Sequence, residues 1–219
     1  MIPLRDSIRS RSTPVVTLAL IAACVAAFLY VQGFGSPAEL TAFYEAYGAV
    51  PRVITTGPWP QAGVGLLTSM FLHGSWAHLG GNMLYLWVFG DNVEDGMGHG
   101  RFLLFYLLTG ALAVLAHVVT QPASAVPLVG ASGAIAGVLG AYVMLHPRSG
   151  ILSVVLIPPF FVRLVELPAV VVLSLWFVLQ LAQGVMVLGT PGVATVAWWA
   201  HIGGFAAGAL LVGFFAARR

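Results

Sequence analysis

Three polar motifs in this chain have the residue types needed for acyl-transfer chemistry. Ser132 lies in a Gly-Ala-Ser-Gly motif at residues 130–133, and a serine hydroxyl becomes a good nucleophile once a base takes its proton. His201 is the candidate base, and it could later protonate the leaving amine. His78, the Asn82 amide and the Ser132 backbone N–H are candidate donors to the oxyanion of a tetrahedral intermediate. The motifs therefore predict a Ser–His dyad with its own oxyanion stabilisation.

The rest of the chain is too apolar to fold in water. Of 219 residues, 59% are hydrophobic and only 7% are charged, against about 25% in soluble domains. The same composition excludes a disordered chain, the single cysteine excludes a disulfide scaffold, and a net charge of +2 gives no reason to expect nucleic acid. Only helices and closed barrels satisfy the backbone in lipid, and the apolar runs are about 20 residues long. We therefore predict an all-α integral membrane protein.

Six apolar stretches are long enough to be transmembrane helices. The first follows three arginines, but its apolar run is too long for a signal peptide, so we expect a retained helix. The short apolar run Ile151–Phe161 contains Pro158-Pro159 and is predicted to be a surface or re-entrant loop. The six predicted helices are Pro14–Val31, Leu67–Phe89, Phe102–Val119, Val129–Leu145, Leu167–Leu188 and Val196–Ala216.

The arginines predict how the helices are oriented. With six helices, eight of the nine arginines fall on one side and only Arg52 on the other, which five or seven helices would not give. Both termini are therefore predicted to be cytoplasmic, in one domain (1–219) with a short N-terminal tail (1–13). The long loop Gly33–Leu66 and the short loops near Pro122–Leu128 and Gly189–Thr195 would be external. The eight arginines are Arg5, Arg9, Arg11, Arg101, Arg148, Arg163, Arg218 and Arg219.

This orientation brings the polar motifs to one depth in the outer half of the membrane. His78 and Asn82 are four residues apart and share a helix face. Small-residue stripes on the fourth and sixth helices would let these helices pack closely and bring His201 to Ser132. Asp91, Glu94 and Asp95 lie near the inner end of the second helix and Glu166 lies on the inner side, so we expect no carboxylate at this depth. The stripes are Gly133, Gly137 and Gly140, and Gly204 and Gly208 following His201.

The remaining polar residue of the second helix has a weaker claim. His73 lies five residues before His78, about 140° round a helix, so it is predicted to point away from His78 and to brace the external loop. The pair does not form an H-E-x-x-H motif and no acid accompanies it. We therefore predict no metal site and no cofactor.

Together the motifs resemble those of the rhomboid intramembrane serine proteases. The segment from His73 through His78 to Asn82 resembles the family's H-x4-H-x3-N pattern, and residues 130–133 resemble its G-x-S-G motif. Residues 200–208, Ala-His-Ile-Gly-Gly followed by Gly208, resemble its A-H-x2-G-x3-G motif. The motifs occur in family order, and the resemblance covers about residues 48–215.

The resemblance implies a six-helix rhomboid-like bundle with Ser132 as nucleophile and His201 as general base. It implies oxyanion support from His78, Asn82 and Ser132, and structural roles for Gly130, Gly133, Gly204, Gly208 and His73. It also implies an external loop that lies partly in the bilayer. Substrates would be transmembrane proteins cut near the outer face, often after a small residue. They would enter near the second and fifth helices, where Trp176 and Phe177 are gate candidates.

Two positions depart from the family's pattern. Some relatives have an aromatic residue four positions after the nucleophile, which stacks on the base histidine, whereas this chain has Ala136. Another group must then hold His201. Some relatives also carry a Trp-Arg pair in the first external loop, and residues 33–66 contain none.

Two other function classes compete with a protease. A non-catalytic rhomboid-like module that binds transmembrane clients would not need both Ser132 and His201. A transporter or channel would be expected to have internal repeats and polar groups along a path, whereas these polar residues cluster at one depth. The short loops and the lack of a transit peptide favour a prokaryotic inner membrane. The sequence gives no prediction of oligomeric state.

Overall fold

A computed structural model describes residues 1–33, 36–157, 161–186 and 196–217. These ranges form mainly α-helix, with a short 3-10 turn at Ser69–Phe71. The helices are α1 (Val15–Val31), α2 (Pro37–Tyr47), α3 (Pro51–Thr56), α4 (Trp59–Thr68), α5 (Trp76–Met97), α6 (His99–Thr120), α7 (Ser132–Leu145), α8 (Ala169–Met186) and α9 (Trp198–Phe215). The strands are β1 (Ile2–Asp6), β2 (Gly150–Ile157) and β3 (Phe161–Pro168).

The helices have the length and surface of a membrane bundle. Within the described ranges, α6, α8 and α9 are long and apolar enough to cross a bilayer, and α1 and α7 are shorter apolar helices. Large apolar side chains are exposed along α6 and α8, as expected where a helix faces lipid rather than water. The chain is a multi-pass membrane protein, as its composition predicts.

Helix α7 lies at the centre of the bundle, and glycine allows its close contact with α9. Every residue from Ala134 to Tyr142 is buried. A Cβ atom on Gly204 would collide with the carbonyl oxygen of Gly133, and one on Gly208 with that of Gly137. The two backbones are therefore in direct contact, with no room for a side chain between them. This contact fixes the position of the first turn of α9 relative to the first turn of α7.

The chain is mostly helical, as predicted, but it is not purely α-helical, because three strands form a small antiparallel sheet in the order β1-β2-β3. Within the run predicted to be a loop, residues 151–157 belong to β2, which pairs with β3, with Ile151 opposite Leu167 and Val154 opposite Leu164. The predicted tail 1–13 supplies β1, which pairs with β2. Hydrogen bonding between these segments satisfies backbone groups that a short apolar loop would leave unpaired. The Pro158-Pro159 pair lies outside the described residues.

The second predicted helix, Leu67–Phe89, is also wrong in its bounds. Helix α5 begins at Trp76, after Ser75 caps it by accepting a hydrogen bond from the His78 N–H at 3.1 Å. It continues to Met97 and ends at Gly98, whose φ of 81° lies in the left-handed region that favours glycine. Helix α4 and the 3-10 turn occupy the residues before it. The long loop Gly33–Leu66 is largely helical, because it contains α2, α3 and most of α4.

The other predicted helix bounds lie within three residues of those observed, over the part that is described. The largest differences are at the starts of α6 and α7, where α6 begins earlier and α7 begins later than expected. The C-terminal end of the fifth predicted helix, the predicted loop Gly189–Thr195, and Arg218 and Arg219 lie outside the described residues.

A buried carboxylate anchors the start of α1. Glu94, on α5, is fully buried, and its oxygens accept hydrogen bonds from the Val16 N–H at 2.9 Å and the Thr17 N–H at 2.7 Å. The Thr17 hydroxyl donates to the same carboxylate at 2.7 Å, and His99 Nδ1 lies 2.6 Å from it. The first N–H groups of a helix have no intrahelical acceptor, so this carboxylate supplies one and complements the helix dipole.

The sheet lies at the end of the bundle away from Ser132. Asp6 of β1 accepts a hydrogen bond from Asn92 at 2.8 Å and another from the hydroxyl of Tyr142 on α7. Tyr142 is ten residues after Ser132, which places it about 15 Å further along the helix. The two ends of α7 are therefore chemically distinct: one contacts the sheet and the other carries the serine.

Candidate active site

Ser132 is the first residue of α7, so its backbone lies where a helix presents free N–H groups. The preceding turn requires glycine: Gly130 has a φ of 132°, and its N–H donates to the Ser69 carbonyl at 2.9 Å. A Cβ at this position would also lie 2.7 Å from His78 Nε2. The N–H groups of the first turn of α7 have no intrahelical acceptors and carry the positive end of the helix dipole.

Ser132 and His201 are in hydrogen-bond contact. The Nε2 atom of His201 lies 2.8 Å from the Ser132 Oγ atom, although 69 residues separate them in the chain. His201 lies in the first turn of α9, one turn before Gly204, whose contact with Gly133 brings the two helix starts together. This geometry allows the serine proton to pass directly to the imidazole.

The other nitrogen of His201 contacts a residue that the sequence did not single out. His201 Nδ1 lies 2.7 Å from Oε1 of Gln180 on α8. The signal in the sequence was an amide side chain in a mainly apolar helix, which is costly in lipid and often functional. The predicted site drew only on the second, fourth and sixth helices, and so missed this side chain.

Aromatic rings flank His201 in place of the residue missing at Ala136, which is fully buried. The ring centroids of Trp176 and Trp198 each lie 6.1 Å from that of His201, the first tilted by 33° and the second nearly perpendicular at 89°. Phe177 stacks on Phe205 of α9 at 4.8 Å and makes no ring contact with His201 among the described residues. Of the two gate candidates, only Trp176 is therefore next to the histidine.

His78 and Asn82 lie beside the turn that leads into Ser132. Both are in the first two turns of α5, and both are the nearest neighbours of a Cβ built at Gly130, with Asn82 Nδ2 at 3.6 Å. Asn82 is buried, and its Nδ2 atom has no hydrogen-bond partner among the described residues. A buried amide without a partner is costly, so this donor is available for a group that enters the site.

His73 does not point away from His78, as the prediction had it. It precedes α5 and is not helical, so the helical angle between the two residues does not apply. Their rings meet edge to face with centroids 5.2 Å apart, and the His73 carbonyl accepts a hydrogen bond from the Tyr44 hydroxyl of α2 at 2.9 Å. Burial, together with the neighbouring His78, lowers the pKa of His73 to about 4, so the ring is neutral at pH 7.

One cavity of about 520 Å³ lies between α5, α7, α8 and α9, and the side chains of His78, Asn82, Ser132, Gln180 and His201 line it, whereas His73 does not. Among the described residues that form its wall, none is an aspartate or a glutamate. The cavity therefore brings together the hydroxyl of Ser132, the imidazole of His201, and hydrogen-bond donors from Asn82 and His78, in a mainly apolar wall. Its polar members are Ser75, His78, Asn82, Tyr85, Ser132, Trp176, Gln180 and His201.

Comparisons with known proteins agree with the motifs. A model of the rhomboid domain matches residues 60–218. The chain is 40% identical over 138 residues to Rhomboid protease GluP of Bacillus subtilis, covering 62% of this chain and 26% of that protein. It is 32% identical over 151 residues to the chloroplastic Rhomboid-like protein 11 of Arabidopsis thaliana, covering 67% and 50%.

A third relative is the mitochondrial Rhomboid protein 1 of Saccharomyces cerevisiae, 37% identical over 93 residues, or 41% of this chain and 27% of that protein. The chain thus spans between a quarter and a half of the length of these relatives. The domain match extends from α4 beyond the end of α9 and contains all three polar motifs. The resemblance of the motifs is confirmed, and this chain belongs to the rhomboid family.

Proposed function

We propose that this chain is an intramembrane serine endopeptidase that cleaves transmembrane segments of other proteins with a Ser132–His201 dyad. The observation that carries the proposal is the 2.8 Å contact between His201 Nε2 and Ser132 Oγ in a cavity of the membrane bundle. A serine this close to an unprotonated imidazole nitrogen is activated for attack on a carbonyl carbon. The name of one relative, Rhomboid protease GluP, belongs to that protein and supports the same interpretation.

The first half of the reaction forms an ester. Ser132 Oγ attacks the carbonyl carbon of the scissile peptide, and its proton moves to His201 Nε2. The carbonyl oxygen becomes an oxyanion, which the Ser132 backbone N–H, the Asn82 amide and His78 stabilise by hydrogen bonds. His201 then gives its proton to the nitrogen of the departing peptide, and the C–N bond breaks. The N-terminal part of the substrate remains bound to Ser132 as an acyl-enzyme.

The second half uses water. A water molecule in the cavity gives a proton to His201 Nε2 and attacks the ester carbon, and the oxyanion forms at the same donors. The ester bond breaks, Ser132 Oγ recovers the proton from His201, and the new carboxyl terminus leaves. The dyad is regenerated with no cofactor.

The length of α7 supports a reaction below the membrane surface. Its 14 residues span about 21 Å, less than the roughly 30 Å of a bilayer's hydrocarbon core. If the C-terminal end of α7 lies near one membrane surface, Ser132 at its N-terminal end lies several ångströms below the opposite surface. The cavity would then supply water to a site that lipid surrounds.

We further propose six membrane spans, α1 and α5 to α9, with both termini in the cytoplasm of a prokaryotic cell. The arginine asymmetry in the sequence supports this orientation. The 22 residues of α5 extend for about 33 Å, enough to cross the bilayer although its final turns carry acidic residues. The substrate would enter between α5 and α8, next to Trp176 in the cavity wall.

The test is cleavage of a single-span substrate reconstituted with the purified protein in liposomes. We expect wild type to cut it, and we expect Ser132→Ala and His201→Ala to have no detectable activity while keeping the wild-type helical content. The matched control is Ser174→Ala, which changes an exposed serine of α8. Cleavage that survives in Ser132→Ala would overturn the mechanism. A folded wild type that binds the substrate without cutting any transmembrane sequence in a library would instead favour a client-binding module.

A further inference from the structure

We propose that Gln180 is a positioning residue for His201, so that the site works as a Ser132–His201–Gln180 relay in which a neutral amide holds the base. The inference rests on the proposed function for its kinetic consequence, but not for its geometry. The 2.7 Å contact between Gln180 Oε1 and His201 Nδ1 lies on the opposite side of the ring from Ser132. One imidazole therefore has both nitrogens engaged, one by the nucleophile and one by the amide.

The amide oxygen selects one tautomer of the histidine. An amide oxygen only accepts hydrogen bonds, so Nδ1 must carry the proton of the neutral ring. Nε2 then has its lone pair directed at the Ser132 hydroxyl, which is the form that a general base requires. The opposite tautomer would place an N–H towards the hydroxyl and leave the amide oxygen facing a lone pair. Gln180 thus sets the imidazole in its competent state before substrate arrives.

Packing on both sides holds the Gln180 side of α8 against α9. One turn before Gln180, Trp176 lies beside His201 and Phe205, with its ring 6.0 Å from Phe205. One turn after it, a Cβ on Gly184 would lie 3.2 Å from the side chain of Ile202. These contacts fix the distance between the two helices at the level of the amide.

An amide can support the base without a charge. When His201 takes the serine proton, both nitrogens carry hydrogen and the ring becomes positive, so the bond from Nδ1–H to Gln180 strengthens as the charge forms. Among the described residues, His78 on α5 and His117 on α6 interact electrostatically with His201, Tyr85 on α5 lines the same cavity, and α7 contributes the Ser132 hydroxyl. With no acidic side chain among the described residues of the cavity wall, Gln180 is the acceptor that the imidazolium has.

The variants are chosen to separate positioning from packing. Gln180→Leu keeps the side chain's bulk and removes the acceptor, and Gln180→Glu keeps an acceptor in the same place and adds a negative charge. Gln183→Leu is the matched control, because Gln183 is an exposed glutamine on the same helix. Circular dichroism and thermal unfolding in detergent establish that each variant folds.

The first readout is the tautomer of His201, measured by NMR of protein labelled with 15N-histidine. The His201 signal is identified as the one that is missing from the spectrum of His201→Ala. In wild type and in Gln183→Leu we expect a protonated Nδ1 and an unprotonated Nε2 at pH 8. In Gln180→Leu we expect a mixture of tautomers. An unchanged His201 signal in folded Gln180→Leu would overturn the inference, and this result does not depend on whether the protein cleaves anything.

The second readout is kinetic. Gln180→Leu should lower kcat for a reconstituted substrate by about ten- to hundredfold with little change in KM, the range expected for loss of one hydrogen bond to a charged group. Gln180→Glu should restore most of the rate and move the acidic limb of the kcat–pH profile to higher pH. Wild-type kcat in Gln180→Leu would contradict the relay. A wild type that does not cleave would contradict the proposed function while the NMR measurement still decides the role of Gln180.

Discussion

The contact between α7 and α9 makes a quantitative prediction for Gly208→Ala. A Cβ at residue 208 would lie 2.6 Å from the carbonyl carbon of Gly137 and 2.7 Å from its Cα, and it would collide with the carbonyl oxygen. Ordinary carbon–carbon contacts lie at about 3.5–4.0 Å. The obstructing atoms belong to backbone and cannot rotate away, so the helices must separate by about 1 Å at this level.

Such a separation affects both stability and activity. Overpacking of this kind costs about 1–3 kcal/mol, and the helix propensity of alanine over glycine offsets up to about 1 kcal/mol of it. His201 is on the same helix, two turns before residue 208. Lengthening its 2.8 Å bond to Ser132 by about 1 Å takes it beyond hydrogen-bond range. A misplacement of about 1 Å can cost about a hundredfold in rate.

The assay compares Gly208→Ala with Gly213→Ala on the same helix. A Cβ at residue 213 meets no atom within 4 Å, so this change tests helix propensity without the clash. We expect Gly213→Ala to match wild type in cleavage rate and to be as stable or more stable, by up to about 1 kcal/mol. We expect Gly208→Ala to be less stable by about 1–2 kcal/mol and to cleave about a hundredfold more slowly. Equal stability and equal rates in the two variants would refute the reasoning.

Three further predictions concern the buried side chains of His73 and Glu94 and the predicted orientation of the chain in the membrane. The pKa of His73 is about 4 in the folded protein and 6.5 in the unfolded chain, so the free energy of unfolding should decrease by up to about 3 kcal/mol as pH falls from 6.5 to 4. His73→Gln should reduce this pH dependence, as measured by thermal unfolding in detergent. Glu94→Gln should lower the free energy of unfolding by about 1.5–3 kcal/mol, because the acceptor of the α1 N–H groups loses its charge. The matched change at an exposed position, Glu45→Gln, should have little effect on stability, and equal melting temperatures of the two variants would contradict this prediction. In intact cells, Arg52→Cys should react with a membrane-impermeant maleimide and Arg11→Cys only after lysis, with the buried Cys24 silent in both; the reverse pattern would overturn the proposed topology.

The sequence predicts those features of the fold that repeat at regular helical spacing, and it predicts poorly those that do not. The glycines at residues 204 and 208 repeat at helical spacing, and the structure has them against Gly133 and Gly137 on α7. The start of α5 is not periodic, because apolar residues continue across the 3-10 turn at Ser69–Phe71. The local signal was the capping serine Ser75, which a hydropathy pattern ignores.

The features that could not be predicted depend on partners far away in the chain. Strand β1 pairs with residues of β2 about 150 positions later in the chain. An apolar run in the sequence does not indicate which distant segment it will pair with. Gln180 contacts a histidine 21 residues away on the next helix, which only the packing of α8 on α9 brings near. Helical spacing predicts the wrong face for His73, because α5 begins three residues after it.

The central claim is that Ser132 is a nucleophile activated by His201, and covalent labelling tests it most directly. The purified protein in detergent is treated with a fluorophosphonate, and peptide mass spectrometry locates the adduct. We predict one adduct, on Ser132, which forms in wild type and in Ser174→Ala and is absent or strongly slowed in His201→Ala. An adduct on Ser75, the other serine of the cavity wall, or labelling of Ser132 at the wild-type rate in His201→Ala would contradict the account.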